Sequence, residues 1–175
     1  MRKLIIAVLV LVSVFVIASN YDEAYQYAYK AAEHYGISVS RAKLLAKTVA
    51  EEYERFPQVP YQVFVALIVS ESSFKNLYGD GGDAVGYCQL HKSAVWYVAN
   101  FFPEIKERVK KIEHDDLIKF PELQIRIGYR YLYLILRYIT DWNIVRALNY
   151  WNNSNKYYQR VFYIVDYLAQ NVGGA

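Results

Sequence analysis

Along most of this chain apolar positions recur three and four residues apart, and polar, proline or glycine-rich breaks separate the runs, which is the pattern of successive amphipathic helices. Asn20 and Asp22 can cap a helix that runs to Tyr35, where Gly36 stops it. Ser40 can cap the next, with Leu44, Leu45, Val49 and Tyr53 along its inner face. Pro57 and Pro60 break the chain, and Pro60 sits in the favourable first-turn position of a helix from Tyr61 to about Ser72. Further helices are expected from His91 to Phe102, from Pro103 to about Glu113, and from Pro121 to about Thr140, the last presenting Leu123, Ile127, Tyr131, Leu134 and Tyr138 on one side. Asp141 is a natural cap for a helix to about Tyr150, residues 152–155 are a break, and Tyr157–Gln170 reads as a final helix. No pair of strands joined by a hairpin turn and no internal repeat is visible, so the expectation is an all-α, mainly helical domain over residues 20–175.

Residues 1–19 stand apart. Met1-Arg2-Lys3 precedes Leu4–Ala18, an apolar stretch interrupted only by Ser13. A basic start followed by an apolar run of this length fits a secretory signal peptide, and the same run retained would be a membrane anchor. Either way the positive charge stays cytoplasmic and the body is expected to be exported, in the periplasm or cell envelope, tethered to the cytoplasmic membrane if the segment is uncleaved.

Composition narrows the function classes. Of 175 residues 55% are hydrophobic and 21% charged, and Gly and Pro together are scarce, which excludes disordered and low-complexity classes. The net charge of +3 is mostly a property of the leader: residues 20–175 hold 18 basic and 17 acidic groups. A near-neutral body without a Lys/Arg-rich run argues against a nucleic-acid binder whose affinity comes from neutralising phosphates. The lone Cys88 forms no internal disulfide and is expected to be a buried, small apolar side chain. His34, His91 and His114 are scattered with no metal-ligand spacing, so no metal and no cofactor is expected.

The candidate chemistry lies at the end of the helix that starts at Tyr61. Every residue from Val63 to Val69 is apolar, and Glu71 follows, with Leu67 and Ile68 as its helical neighbours. A carboxyl group held against an apolar face keeps its proton to higher pH and can donate it to a leaving oxygen, as glycoside cleavage requires. Residues 75–86, beginning just after, are the one glycine-rich stretch and read as a loop. It lacks the D-x-D-x-D-G pattern of a calcium loop, and no G-K-S/T follows as in a phosphate loop.

Three segments, in order, resemble the lytic transglycosylases of the SLT type, within the goose-type lysozyme-like superfamily. Glu71-Ser72-Ser73-Phe74 is similar to their E-S-x-F, Gly82-Asp83-Ala84-Val85-Gly86-Tyr87-Cys88-Gln89-Leu90 to their G-A-x-G-L-M-Q-hydrophobic segment, and Ala147-Leu148-Asn149-Tyr150-Trp151-Asn152 to A-L-A-A-Y-N, with Tyr158-x-x-Val161 resembling Y-V-x-x-V downstream. The resemblance covers about residues 60–167. This chain has Tyr87-Cys88 for the usual Leu-Met, His91-Lys92 where a proline is frequent, Trp151 for the tyrosine of the Y-N pair and Ser154 for a glycine. Tryptophan has an N–H donor but no hydroxyl, so any task of that hydroxyl at the glutamate has no donor at this position.

The resemblance implies a lysozyme-like domain with the glycine-rich loop beside its cleft, acting as a monomer on peptidoglycan glycan strands. It implies cleavage of the β-1,4 bond between N-acetylmuramic acid and N-acetylglucosamine with Glu71 as general acid and then base, leaving a 1,6-anhydro sugar. Ser72, Tyr87, Gln89, Trp151, Asn152 and Tyr150 are the implied substrate-binding or glutamate-orienting residues. Four of them have a plainer alternative: a helix-end hydroxyl bonding a carbonyl for Ser72, a loop amide for Gln89, a turn residue for Asn152, core packing for Trp151. Asp80 or Asp83 could instead activate a water opposite Glu71, giving a hydrolytic lysozyme, although both also suit a glycine-rich turn. A peptidoglycan-binding module with weakened turnover is a further alternative.

Overall fold

A computed structural model describes residues 20–172, and the expected leader or anchor lies outside these. A first helix, α1, covers residues 20–34. It is followed by α2 (Val39–Arg55), α3 (Tyr61–Ser72), a small sheet of β1 (Tyr78–Gly79), β2 (Ala84–Val85) and β3 (Leu90–His91), and then α4 (Lys92–Phe101), α5 (Pro103–Val109), α6 (Pro121–Leu134), α7 (Ile144–Trp151) and α8 (Tyr157–Asn171). The described chain is mostly helical, and among the described residues no helix is long and apolar enough to cross a membrane.

The apolar run of α3 puts it at the centre: Val63 to Val69 are all buried, so this helix needs neighbours on every side. It packs on α8 and α2, while α2 packs on α6 and α6 on α4. A cluster of ions closes the seam between α2, α5 and α6. The fully buried Arg130 donates from Nε to Glu52 Oε2 at 2.8 Å and from its terminal nitrogen to Glu52 Oε1 at 3.0 Å, and it also bonds Glu104. Arg126 reaches Glu52 at 2.7 Å, Glu51 at 2.5 Å and Glu122 at 2.6 Å. Glu52, wholly buried, is thus paired on both oxygens, and the Arg130 guanidinium lies 4.7 Å from the Phe102 ring centre.

Five expectations need correction. Ser40 lies inside α2, whose cap position is Ser38, so it does not cap that helix. The glycine-rich stretch is not a plain loop: it folds into a three-stranded antiparallel sheet, with Tyr78 opposite Val85 and Ala84 opposite His91. Strands of two residues are too short to carry an alternating pattern in sequence. The helix expected to reach Glu113 ends at Val109, and a 3₁₀ segment, His114–Lys119, follows. The cap of α7 is Asn143, whose side chain accepts from the Arg146 N–H at 3.0 Å, because Asp141 and Trp142 turn the chain through left-handed conformations first. The helix expected to run to Thr140 widens after Leu134 into a π-turn over Ile135–Ile139, in which the Thr140 N–H donates to the Ile135 carbonyl at 3.0 Å. One extra residue in a turn rotates everything beyond it, so Tyr138 leaves the apolar face and is exposed.

The sheet is pinned to the helices by one buried amide. Gln124 of α6 accepts from the Tyr87 N–H at 2.9 Å and donates to Asn76 Oδ1 at 3.0 Å and to the Leu117 carbonyl at 2.6 Å. Gly86 lets this happen: its φ is +80°, and a Cβ there would come within 2.0 Å of Gln124 Oε1.

Candidate functional site

The last turn of α3 delivers Glu71 to the surface of the core. Ser73 and Phe74 follow in left-handed conformations, and the Phe74 side chain turns back into the interior against Tyr35. Two consecutive non-glycine residues of this kind cost backbone energy, held here by the buried phenylalanine. Glu71 itself is half-buried.

Its carboxyl meets the two helices that close the far side. The Tyr157 hydroxyl, at the start of α8, donates to Glu71 Oε1. Burial raises the Glu71 pKa above the ordinary carboxylate value; the Tyr157 hydroxyl, the Trp151 N–H and the charges of Arg160 and His91 pull it down but do not cancel the rise. Arg160 is fixed nearby by donating to the Ser70 carbonyl at 2.8 Å. Tyr157 is buried, and burial and the neighbouring Glu71 charge push its hydroxyl well above the usual phenol value, so it stays a proton donor. The arrangement can hold a proton on Glu71 and can also receive the carboxylate once the proton is gone.

Ser72, Tyr87 and Gln89 form a support beneath this group. The Ser72 hydroxyl donates to the Tyr87 carbonyl at 2.8 Å, with the Ile68 carbonyl at 3.2 Å as second acceptor, and so ties the end of α3 to the sheet. The Tyr87 ring is buried and its hydroxyl accepts from Arg41 at 3.3 Å. Gln89, in a left-handed conformation, donates to the Gly86 carbonyl at 2.8 Å and to the Leu77 carbonyl at 3.2 Å. Its Oε1 lies where a Cβ of Gly79 would stand, 1.8 Å away, so the carboxamide clasps the sheet turn. Cys88 is buried, and burial followed by the Glu71 charge pushes its thiol up, far from a reactive thiolate.

Asp80 and Asp83 are not brought against Glu71 by any contact. Asp80 faces His91 at 3.7 Å, both exposed, and Asp83 lines a polar cavity of about 500 Å³ with His91, Lys92, Ser93 and His114. A second cavity, of about 230 Å³, is lined by Ser93, Ala94, Tyr97, Tyr131, Ile139 and Tyr150. The two share Ser93; His91, whose charge acts on Glu71, borders the first, and Tyr131, 5.1 Å from Trp151 between ring centres, borders the second. Tyr150 is exposed over the second cavity, and Asn152 is exposed just past the end of α7. Among the described residues no group of three His, Cys, Asp or Glu side chains is placed to hold a metal ion.

Tyr157 is the residue that sequence reasoning missed, by one position. Tyr157 and Val161 stand four apart on α8 and both point inward, whereas Tyr158 is only half-buried. The signal was this i, i+4 pairing. Compared with known family models, curated proteins and solved structures, the chain has no match.

Proposed function

We propose that the protein is a peptidoglycan lytic transglycosylase: an exported, monomeric enzyme with a lysozyme-like domain that needs no cofactor. The observation that carries this reading is the half-buried Glu71 carboxyl, raised in pKa by burial and bonded by the Tyr157 hydroxyl, with His91 on one side bordering a polar cavity and the Trp151–Tyr131 ring pair on the other leading to a second. A single group of this kind can serve both halves of the reaction. Protonated Glu71 gives its proton to the oxygen bridging the two sugars as the C1–O bond breaks. The carboxylate left behind then takes the proton of the same sugar's C6 hydroxyl, whose oxygen bonds C1 and closes the 1,6-anhydro ring. Glu71 ends protonated, as it began, and no water is consumed. Tyr157 and Trp151 favour the charged intermediate state of Glu71, so the hydroxyl that Trp151 lacks at its own position is supplied from α8.

The route through one carboxylate is taken as the first reading because Glu71 already has the donors that receive its carboxylate, whereas Asp80 is engaged with His91 at 3.7 Å and Asp83, in the lining of the polar cavity, is the residue a hydrolytic route would use. The test is to incubate the purified protein with peptidoglycan and weigh the soluble fragments. Anhydro-ended products are expected; reducing ends would make it a hydrolase, and no release would leave a binding module. Glu71→Gln should keep the fold and lower release by about 10²–10⁴-fold.

A further inference from the structure

On one side of Glu71 the aromatic rings continue past Trp151. Tyr131 lies 5.1 Å from Trp151 between ring centres, Tyr97 6.0 Å from Tyr131, Phe101 5.3 Å from Tyr97, and Tyr138 5.3 Å from Phe101. The inner end of this row borders the carboxyl, and its middle forms the wall of the smaller cavity. The outer end is uncovered: Phe101 is 44% and Tyr138 55% exposed, and their rings are stacked at 29°. Tyr97, Tyr131 and Trp151 meet one another tilted or edge-on and pack against the core, but the exposed stacked pair that continues their row does not, and core packing does not account for it.

Two features place the outer pair there. The π-turn over Ile135–Ile139 rotates Tyr138 out of the core and brings Ile139 to the cavity wall, and π-turns are frequent at functional sites. Arg137, in the same turn, holds its guanidinium 5.1 Å from the Tyr138 ring centre and donates to the Tyr133 hydroxyl at 2.6 Å. Among the described residues no carboxylate pairs with it, so the outer end of the row carries an uncompensated positive charge.

We propose that Trp151, Tyr131, Tyr97, Phe101 and Tyr138 form a platform for successive sugar rings of an anionic amino-sugar strand, with Phe101 and Tyr138 setting its outer affinity. A β-linked pyranose presents a flat face of C–H groups that stacks on an aromatic ring, and each step of the row is of the size of one ring. The carboxylates of such a strand complement Arg137. The direction of the strand toward Glu71 rests on the function proposed above, but binding to the platform is separable from cleavage.

The test uses the full chain with Glu71→Gln, so that a bound strand is not consumed. It is titrated with N-acetylglucosamine oligomers from disaccharide to hexasaccharide and with peptide-free muramyl glycan strands. Affinity is expected to rise with length and to be higher for the anionic strand than for a neutral one of equal length. Adding Phe101→Ala and Tyr138→Ala should weaken long-strand binding about 10–100-fold, whereas Tyr138→Phe, which keeps the ring, should retain it. Binding that ignores length, an alanine pair that binds as before, or no strand binding at all overturns the platform. So does a dimer of the wild-type chain, seen by sedimentation, that the alanine pair converts to monomer, since the row would then be a self-contact. Strand binding as described with no fragments released by the wild type leaves the platform standing and removes the catalytic reading of Glu71. Fragments released with the alanine pair binding normally does the reverse.

Discussion

At the carboxyl of Glu71, burial favours the protonated form, while the Tyr157 hydroxyl, the Trp151 N–H, Arg160 and His91 favour the charged one. The first of these donors is separable by removing one oxygen. Tyr157→Phe deletes the hydrogen bond to Oε1 and leaves the ring packing in place, so the Glu71 pKa should climb further. Activity that depends on a protonated Glu71 is lost as pH rises through that pKa, so the alkaline limb of the kcat/KM profile should move to higher pH. The rate at the optimum should drop about 10–100-fold, less than the 10²–10⁴-fold expected for losing Glu71 itself, because the acid remains but its carboxylate is less well received. A pH–rate profile of the variant with an unmoved alkaline limb would show that Tyr157 does not act on Glu71 in the reaction. Gln89 gives a contrasting expectation. Its carboxamide is engaged with the Gly86 and Leu77 carbonyls, so Gln89→Ala should lower activity by loosening the sheet turn, with a fall in thermal stability alongside.

The helices were legible in the sequence because each buries a stripe: α3 by its apolar run and α6 by Leu123 and Ile127 at helical spacing. The features that shape the site were not. Two-residue strands have no period, the π-turn changes the rotation within an apparently continuous helix, and the Asn143 cap depends on two left-handed residues that a pattern does not encode. Glu71 was legible from its apolar neighbours, whereas Tyr157 needed the knowledge that α8 closes on α3. The ion cluster was equally invisible, since Glu52 and Arg130 meet across 78 positions. Removing one partner there should be costly: Glu52→Leu takes away both of the buried hydrogen bonds that Arg130 makes to Glu52, leaving it only the exposed Glu104, and one of the three carboxylates of Arg126, for a loss of about 3–5 kcal/mol in denaturant unfolding. Replacing both, Glu52→Leu with Arg130→Met, should recover most of it, because the desolvation of the lone charge is then gone. Gly86→Ala should destabilise by about 1–3 kcal/mol, since the new methyl displaces Gln124 from the Tyr87 N–H at a backbone angle that alanine resists.

For the whole molecule these charges set a stability profile with a separate cause on each flank. Burial works against Glu104 and Glu122, but hydrogen bonds and charge from Arg130, Arg126 and Arg108 leave both carboxyls below their ordinary value of 4.5. Their pairing stabilises the fold above the unfolded-state pKa and is lost as pH falls through the lower folded values. Glu71 has the opposite sign. Its folded pKa is raised, so the folded state binds the proton more tightly, and stability is fully present below 4.5 and lost as pH rises through the raised value. Above pH 10 a third loss begins. Burial pushes Tyr27 and Tyr131 up to about 12, and unfolding frees both phenols to ionise. The middle of these three is removable without touching the others. Glu71→Gln cannot ionise and still offers an oxygen to the Tyr157 hydroxyl, so its melting temperature should exceed the wild type's at neutral pH, with the gap closing as pH falls below the ordinary glutamate range. The acid and alkaline flanks should be the same in both proteins. A gap that persists undiminished at low pH would assign the gain to packing, and the absence of a gap would mean that holding the Glu71 carboxyl against the core costs this fold nothing.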